Sequence, residues 1–409
     1  MSWDTVRFGD LYKEDSRNGL TKPSKVRGSG FKMINMGELF ANDRIFDIPM
    51  ELVPLKDSEK KAKVENGDLL FARQSLVLEG AGKCSIVMKT SPLTVFESHI
   101  IRVRLNRSEA NPLFYYYYFK SPYSAVKTIV SQCAQAGIRG SDLQELKVIH
   151  PEIEEQDKIA EALSHYDELI ENNQKQVSLL EEAARRLYKE WFVDFHFPGY
   201  EKVQFTDGLP EGWKKCILSE LLGVVRGRSY SSKELSDSEG VLMVNLSNIR
   251  SFGGYNRDQE KHYTGKYTEE QMVKCHDLVM GVTDMTQERR TVGRAALVPD
   301  LHADAMISMD LIKLIPREGS TLFYYALLTY GGYGEMVSKF ANGTNVLHLR
   351  PDVLGMIDVM LPSVELQKRY VEQFEFIQRR IDTLQDESLL AAEARNRLLP
   401  KLMSGEITL

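Results

Sequence analysis

Residues 159–191 of the 409-residue chain read IAEALSHYDELIENNQKQVSLLEEAARRLYKEW, the longest regular pattern in the sequence. Apolar or small side chains return at alternating steps of four and three, which is a heptad seam with one polar member, Asn173. The seam consists of Ile159, Leu163, Tyr166, Ile170, Asn173, Val177, Leu180, Ala184, Leu187 and Trp191. Because Gly and Pro are absent between Pro151 and Pro198, the pattern predicts one helix of roughly 40 residues and roughly 60 Å. Such a helix is too long for the core of a small domain and needs a partner.

The partner is a second seam about 211 residues further along the chain. It consists of Tyr370, Phe374, Ile377, Ile381, Leu384, Ser388, Ala391, Arg395, Leu398 and Leu402. At this offset Asn173 faces Leu384, whereas Ser388 and Arg395 interrupt the second seam. A buried Asn at a seam position can set helix register at some cost in stability. We therefore predict two long helices that form a coiled-coil spacer, with two ordinary bundle helices as the alternative.

The composition is typical of a folded protein of two or three domains, with 43% hydrophobic and 27% charged residues. We find neither an apolar run long enough for a membrane span nor a basic and then apolar leader. The cysteines are scattered without a paired spacing, at Cys84, Cys133, Cys216 and Cys275. They favour free thiols in a reducing cytoplasm over a disulfide framework or a zinc site.

The net charge of −6 is distributed unevenly. Residues 1–151 carry 22 basic and 17 acidic side chains, whereas residues 152–192 carry 5 and 11. The first block is basic enough to face phosphates. Residues 193–362 carry 18 basic and 22 acidic side chains, so a nucleic-acid surface there must be a local patch.

An internal repeat covers nearly the whole chain. Five short motifs recur in the same order about 210 residues later. They are MINM at 33–36 and MVNL at 243–246, GDLL at 67–70 and HDLV at 276–279, GKCSIV at 82–87 and GRAALV at 293–298, LFYY at 113–116 and 322–325, and HP at 150–151 and LP at 361–362. Each half is therefore one globular block followed by one long helix.

Short apolar runs and one helix-like run in each block predict an α+β fold. The first block has strand-like runs at 68–72, 84–88 and 100–105 and a helix at 113–119; the second has strand-like runs at 242–246, 277–280, 295–298 and 311–315 and a helix at 322–329. Pro- and Gly-rich segments lie between the halves. We divide the chain into a block at 1–151, a helix at 152–192, a linker at 193–212, a block at 213–362 and a helix with its tail at 363–409.

The common signatures of a catalytic or metal site are absent from the sequence. It has no phosphate loop, dinucleotide-binding glycine motif, paired Cys/His spacing, H-E-x-x-H or amino-methyltransferase catalytic loop. Asp47 with Glu59 and Lys61 superficially fits a nuclease triplet, but the charge density of residues 56–63 favours a solvated loop. We predict no catalytic residue, metal or cofactor in this chain.

Four consecutive tyrosines at 115–118 suggest base stacking. The equivalent segment of the second half, 324–327, reads YYAL. That substitution suits a buried helix face better, so we predict that these tyrosines belong to the core.

Three loops in each half are better candidates for a binding surface: 17–28 and 226–233, 73–75 and 283–290, and 135–141 and 342–350. Arg and Lys contact phosphates or guanine, Gln reads adenine, and Gly allows close approach. The predicted DNA contacts are Lys22, Lys25, Arg27, Arg73, Gln74, Ser75 and Arg139 in the first half, and Arg226, Arg228, Tyr230, Thr283, Thr286, Arg289, Asn342, Thr344 and Asn345 in the second. The loops differ between the halves more than the strands around them do, which fits two surfaces that read different sequences. An ordinary solvated loop is the alternative for each residue.

These residues resemble the specificity (S) subunit of a type I restriction–modification system. The most specific motifs are WFVDF at 191–195 with FPG at 197–199, LPEGW at 209–213 and LPKLMSGEI at 399–407; GDLLFAR at 67–73 and Pro151 with Gln156 add to them. The resemblance covers essentially the whole chain. Two departures are His276 in place of Gly67, and Ile138 with Arg139 where Gly343 with Thr344 would predict a Thr.

The resemblance implies two similar target-recognition domains separated by two long antiparallel coiled-coil helices, as a pseudo-two-fold internal repeat. It implies sequence-specific binding of a bipartite, asymmetric DNA site in host defence, without catalysis by this chain. It implies two modification (methyltransferase) subunits as partners and, through them, restriction (motor–nuclease) subunits. Methylation of adenine from S-adenosylmethionine and cleavage driven by ATP with Mg would belong to those partners.

Exposed apolar residues on the long helices and near the end of the first helix are expected to dock the partner subunits. The predicted docking residues are Trp191, Phe192, Phe195, Phe197 and Leu402. Intramolecular burial of Trp191 is the alternative. Two competing functions are a stand-alone DNA-binding or scaffold protein without a methyltransferase partner, and an enzyme with an unrecognised nuclease site.

The helix pair is expected to hold two recognition surfaces about one turn of DNA, ~34–36 Å, apart. Lengthening it by whole turns should change the gap between two half-sites and neither half-site. A four-residue insertion near Asn173 that leaves the gap unchanged would contradict this expectation.

Overall fold

The computed structural model describes residues 3–132, 136–206, 208–257 and 261–409. Cys133 and the first residue of the third loop, Gln135, lie outside them. The chain forms two compact units, the first of Met1–Asn172 with Glu387–Leu409 and the second of Asn173–Asp386. Each long helix therefore contributes one part of its length to each unit.

The first unit mixes strands and helices, as predicted. Its strands are β1 (Thr5–Arg7), β2 (Tyr12–Asn18), β3 (Phe31–Ile34), β4 (Arg44–Ile45), β5 (Glu51–Val53), β6 (Leu69–Ala72), β7 (Gln74–Ser75), β8 (Cys84–Val87), β9 (Val95–Phe96), β10 (Ile100–Leu105), β11 (Ser131–Gln132), β12 (Ala136–Gly137) and β13 (Lys147–Ile149). Its helices are α1 (Met36–Ala41), α2 (Pro112–Lys120), α3 (Gly140–Gln144) and the first part of α4 (Ile153–Phe192), together with the end of α8 (Val364–Met403).

The main sheet of the first unit has five strands in the order β2-β10-β6-β8-β4. Leu70 of β6 lies opposite Arg102 of β10 and Ser85 of β8, both in antiparallel register. Helix α2 packs against β8, and its four tyrosines are each at most 2% exposed. The prediction that they belong to the core is confirmed.

The second unit repeats this arrangement. Its strands are β14 (Phe205–Thr206), β15 (Leu209–Pro210), β16 (Lys214–Ile217), β17 (Leu222–Arg226), β18 (Leu235–Ser236), β19 (Val241–Val244), β20 (His262–Tyr263), β21 (Met272–Val273), β22 (Leu278–Gly281), β23 (Thr283–Asp284), β24 (Ala295–Leu297), β25 (Ala305–Ile307), β26 (Leu311–Pro316), β27 (Leu347–His348) and β28 (Asp358–Leu361). Its helices are α5 (Leu218–Leu221), α6 (Thr321–Thr329), α7 (Tyr333–Ser338) and the first part of α8 (Val364–Met403), together with the end of α4.

The sheet order β17-β26-β22-β24 in the second unit reproduces β2-β10-β6-β8. Val279 of β22 lies opposite Lys313 of β26 and Ala296 of β24, again antiparallel. The turns before β6 and β22 also match, since Gly67 has φ +83° and His276 has φ +65°. A His in this left-handed region is uncommon, because its Cβ is crowded there. The internal repeat is therefore present in the fold.

In the first unit α4 and α8 lie antiparallel. Asp167 of α4 forms an ion pair with Arg395 of α8, and Lys158 Nζ donates to the main-chain oxygen of Leu409 at 3.0 Å. Leu163 and Leu402 belong to the same buried cluster as the tyrosines of α2. The helix seam is thus part of the core of this unit.

In the second unit the two helices are also antiparallel. Asn173 Nδ2 donates a hydrogen bond of 3.3 Å to the main-chain oxygen of Leu384, and the ring centroids of Trp191 and Tyr370 are 5.8 Å apart. Val177 packs in one buried cluster with Ile381 and Leu384. Two α+β units with long antiparallel helices confirm the predicted fold class. The five-part division of the chain stays a prediction.

Candidate nucleic-acid interface

The second and third loops of the first unit meet in a short antiparallel ladder. Gln74 lies opposite Gly137, and Ser75 lies opposite Ala136. The ladder continues toward Ile138, whose main-chain N–H donates to the oxygen of Arg73 at 2.9 Å. The polar residues predicted in these two loops are therefore neighbours.

The second unit contains the same ladder. Thr283 lies opposite His348, and Asp284 lies opposite Leu347. The main-chain N–H of Leu349 donates to the oxygen of Val282 at 2.8 Å, as Ile138 does to Arg73. We call these two elements the first ladder (β7 with β12) and the second ladder (β23 with β27).

The ladders correct the alignment of the third loops. Ile138 and Arg139 match Leu349 and Arg350 by their hydrogen bonds, and the predicted match to Gly343 and Thr344 is wrong. The third loops share no sequence motif that could fix the alignment, whereas strand pairing fixes it unambiguously. Arg350, which is exposed, is thus the equivalent of Arg139.

The first loop of each half begins beside its ladder. Ser98 N donates to the oxygen of Leu20 at 3.0 Å, and Arg73 N donates to the oxygen of His99 at 2.8 Å. In the second unit Met309 N donates to the oxygen of Arg228 at 2.8 Å, while Val282 N donates to that of Asp310 at 2.8 Å. All three predicted loops therefore converge in each unit.

The predicted residues of the first unit have different surroundings. Lys25 and Arg139 are exposed. Lys22 forms an ion pair with Glu59 at 2.7 Å, and Arg27 forms one with Glu51 at 2.6 Å. The charged groups of Lys22 and Arg27 are therefore engaged within the unit.

The suggested nuclease triplet is not assembled. Glu59 accepts from Lys22, whose hydrogen bond holds the pKa of Glu59 below its usual value. Asp47 instead pairs with Lys32 at 2.6 Å. Each carboxylate is thus paired with its own lysine, as expected of a charged surface.

At the first ladder, two of the predicted contact residues form hydrogen bonds within the protein. Arg73 Nη1 donates to the oxygen of Ser98 at 3.4 Å, and Ser75 Oγ accepts from Val77 N at 3.2 Å. Gln74 is half-buried. Among the described residues, the side chain of Gln74 makes no hydrogen bond to the protein, unlike those of Arg73 and Ser75.

In the second unit Thr283 is buried, and its Oγ1 donates to Asp310 Oδ1 at 3.0 Å. A base contact by Thr283 is therefore the wrong prediction, because its hydroxyl is taken up inside the fold. Arg289, at φ +54°, donates from Nε to the oxygen of Ser338 at 3.1 Å. Tyr230 is half-buried, and burial raises its pKa.

Five predicted residues of the second unit are exposed: Arg226, Arg228, Asn342, Thr344 and Asn345. Gln287 Nε2 donates to the main-chain oxygen of Thr344 at 2.9 Å, which ties the second loop to the third. These side chains remain available to a ligand.

Asp284, which is not among the predicted contact residues, organises the second loop. Burial alone would raise the pKa of Asp284, but hydrogen bonds from Thr291 N, Thr286 and Val292 N outweigh it and hold the pKa below the usual value. The carboxylate is therefore charged and closes the loop from inside. Thr286 donates from both N and Oγ1 to Asp284 Oδ1, at 2.7 and 2.8 Å. Its side chain therefore holds the loop together.

Four of the five predicted docking residues are buried within this chain, which contradicts their expected exposure. Trp191, Phe192 and Phe197 are buried in the core of the second unit, and Leu402 in that of the first. Phe195 is half-buried against Phe205 and Trp213. In a sequence, aromatic residues at a helix end are equally compatible with a buried core and with an exposed interface. The structure shows that they belong to the core.

Other apolar residues of the long helices are exposed. Leu179 of α4 is 71% exposed, and Leu390 of α8 is 66% exposed. They are 211 residues apart and therefore occupy equivalent positions of the repeat. One of them lies in each unit.

Within the described ranges, no helix has the length and apolar character of a membrane span. Across that same part of the chain, no three His, Cys, Asp or Glu side chains are grouped as a metal site would require. Cys84, Cys216 and Cys275 are free thiols.

Comparison with known proteins finds a matching family model for the first half of the chain and relatives that match nearly all of it. The family model for the type I restriction modification DNA specificity domain matches residues 2–182. The MjaIX specificity subunit of Methanocaldococcus jannaschii is 23% identical over 99% of this chain and 93% of its own length. The HindI specificity subunit of Haemophilus influenzae is 22% identical over 99% of both chains.

A solved structure has the same fold. It is the S subunit of a type I restriction–modification system from M. genitalium, which superposes with a TM-score of 0.60 at 17% identity. The match covers 98% of this chain and 96% of the other. The relatives and the fold together agree with the resemblance found in the sequence motifs.

Proposed function

Because this chain belongs to the specificity subunits of type I restriction–modification systems, we propose that it binds a bipartite, asymmetric DNA site and positions methyltransferase and restriction subunits there. Each unit recognises one half of the site. The two halves differ in sequence because the loops of the two units differ.

The observation that carries this proposal is the repeated ladder. Gln74 opposite Gly137 and Thr283 opposite His348 occupy the same place in the two units, yet the exposed His348 stands where the first unit has Gly137. The major groove of DNA admits a two-stranded β-ribbon and presents a distinct pattern of donors and acceptors for each base pair. Equivalent backbones with different side chains suit two half-sites of different sequence.

Exposed basic residues of the predicted loops provide the phosphate contacts. Lys25 and Arg139 lie in the first unit, and Arg226 and Arg228 lie in the second. Each neutralised phosphate releases counterions, so binding should weaken steeply with added salt. This local supply of positive charge compensates for the negative overall charge of −6.

Leu179 and Leu390 support docking of two copies of one partner. Each is an exposed apolar residue on a long helix, at equivalent positions of the repeat and in different units. Exposed apolar residues at equivalent places suit two identical subunits. We assign them to the two modification subunits, through which restriction subunits join the complex.

The chain itself performs no chemistry in this proposal. S-adenosylmethionine, ATP and Mg act in the partner subunits, in the cytoplasm where cellular DNA is found. The absence of a phosphate loop or a methyltransferase catalytic loop from the sequence supports this assignment.

Methylation mapping tests the proposal. DNA is sequenced for methylated adenine in cells that carry this chain with its modification subunit, and in cells that carry the modification subunit alone. A two-part motif with a fixed gap that is lost without this chain is the expected result. Methylation that does not depend on this chain would overturn the proposal and favour a stand-alone DNA-binding or scaffold role.

A further inference from the structure

We infer that Leu76 and Met285 contact bases directly, and that each packs its apolar side chain against the C5-methyl group of a thymine in the major groove. The inference rests on the proposed function and names a contact within it. It adds apolar recognition to the polar contacts predicted from the loops.

The two residues are the most exposed apolar side chains of their loops. Leu76 is 90% exposed and begins an exposed run with Val77 and Leu78, and Met285 is 71% exposed. A single exposed apolar residue is ordinary on a protein surface. Here the same feature occurs at the same place in both units, which a chance surface residue does not explain.

Their equivalence follows from the ladders. Leu76 comes directly after Ser75, which lies opposite Ala136, and Met285 comes directly after Asp284, which lies opposite Leu347. Around them the loops differ, since residues 74–78 read QSLVL and residues 283–287 read TDMTQ. An apolar side chain without branching at Cβ is what the two loops share at this position.

A local turn explains why these side chains point outward. Ser75 Oγ accepts a hydrogen bond from Val77 N at 3.2 Å, and Asp284 Oδ1 accepts one from Thr286 N at 2.7 Å. Both are turns in which a side chain replaces a main-chain oxygen two residues before the donor. The residue between acceptor and donor is left at the tip, and in both units it is the apolar one.

The chemistry of the major groove selects the occupant. Polar residues stand beside each tip: Gln74 in the first unit, and Gln287 and Thr344 in the second, where Gln287 Nε2 donates to the main-chain oxygen of Thr344 at 2.9 Å. A ribbon that enters the groove brings such a tip to the base edges, where the thymine methyl is the apolar group. Leu and Met side chains complement that methyl group by shape and by exclusion of water.

The test is a cycle that combines protein variants with changed DNA. The full chain, in complex with its modification subunits, is titrated with a duplex that carries the site found by methylation mapping. Each thymine of both half-sites, on both strands, is replaced in turn by uracil, which lacks only the methyl group. The proteins are the parent chain, Leu76→Ala, Met285→Ala and the control Met356→Ala, which removes a methionine of similar exposure, 65%, from the same unit as Met285.

For the parent chain, one uracil in each half-site should weaken binding by a factor of roughly four, the value expected for one buried methyl group. Leu76→Ala should bind the thymine duplex more weakly and should no longer respond to uracil at one position of one half-site. Met285→Ala should do the same in the other half-site. Met356→Ala should match the parent chain throughout, which shows that a lost methionine alone has no effect.

Three results would overturn the inference. One is that Leu76→Ala and Met285→Ala bind as the parent chain does. Another is that they bind more weakly yet still respond to uracil at every position, which would place the methyl contact elsewhere. The third is a half-site without a thymine on either strand. Failure of the parent complex to bind the mapped site would instead overturn the proposed function, so the two failures are distinguishable.

Discussion

Asn173 Nδ2 donates a hydrogen bond of 3.3 Å to the main-chain oxygen of Leu384, the residue at the equivalent position of the repeat. Asn173 is 2% exposed and lies in an otherwise apolar seam. A buried amide disfavours any register in which it lacks a hydrogen-bond partner. The pairing of the two helices is thus specified by one polar contact as well as by apolar packing.

Asn173→Leu should raise the free energy of unfolding by about 1 kcal/mol. The reason is that burying a leucine side chain contributes more free energy than the amide and its hydrogen bond do. Guanidinium denaturation of the full chain measures this change. Val177→Ala, which removes apolar contact from the same seam, is the control and should lower stability. A loss of stability in Asn173→Leu would show that the hydrogen bond contributes more than apolar packing would.

A cluster of buried charges in the first unit should be sensitive to the loss of Asp167. This carboxylate accepts from Tyr117 OH at 2.6 Å and pairs with Arg395, and Arg44 Nη1 lies 3.9 Å away. Asp167→Asn removes the counter-charge of Arg395 and leaves Arg44 with Glu171 at 3.3 Å, and should destabilise the unit by about 2 kcal/mol.

Tyr117→Phe is the matched control for Asp167→Asn, since it removes one hydrogen bond and no charge. Its expected cost is about 1 kcal/mol. Thermal and denaturant unfolding of both variants give the comparison. Equal costs for the two variants would mean that the charges of Arg44 and Arg395 are balanced without Asp167.

His276 should make the stability of the second unit depend on pH. Its Nε2 lies 3.1 Å from Asp382 Oδ2, and this hydrogen bond raises the pKa of His276 above its ordinary value of 6.5. Glu375 also raises that pKa, while Arg379 lowers it, and Gln378 donates to the other oxygen of Asp382 at 3.0 Å. Protonated His276 is therefore favoured in the folded chain.

The stabilisation from His276 is fully present below about pH 6.5, the unfolded pKa, and is lost as the pH rises through the raised folded pKa. His276→Asn tests this, because Asn tolerates the left-handed backbone at φ +65°. The melting temperatures of parent and variant should differ most in acid and converge above the folded pKa. Since the pair is partly exposed, the difference should stay below about 1 kcal/mol. A constant difference across this pH range would contradict the assignment.

Leu179→Glu and Leu390→Glu should each remove one modification subunit from the complex. A charge at the centre of an apolar contact is desolvated without a partner and weakens binding strongly. Light scattering of the assembled complex gives the subunit ratio. Ser178→Glu, an exposed neighbour that gains the same charge, should leave it unchanged. Two bound subunits in all three variants would show that these leucines are not the docking sites.

The fold is predicted best from the sequence where apolar residues recur at a regular spacing. The seam through Asn173 and Leu384 emerges from a repeat of seven, and the helices pair in that register. The tyrosines of α2 were placed in the core by comparison with Ala326 and Leu327. Periodicity and internal comparison work here because they report which face of an element is buried.

The sequence predicts less well where a side chain has two possible roles. Thr283 and Trp191 have the residue types of a binding surface, but the fold uses the hydroxyl of one and the ring of the other internally. Leu76 and Met285 are apolar and were therefore not among the polar loop residues predicted to contact DNA. Their exposure and their equivalent positions in the two units indicate a role. Loop alignment failed for Ile138 because hydrogen bonding, and not sequence, defines its match to Leu349.

Methylation mapping with loop variants of each unit is the sharpest test of the proposal that each unit reads one half-site. Gln74→Ala with Arg139→Ala changes the first unit, and Thr344→Ala with Asn345→Ala changes the second. If each unit reads one half-site, each pair of changes should relax or abolish recognition in one half of the motif and leave the other half and the gap unchanged. Variants of both units that alter the same half-site, or neither, would contradict the account.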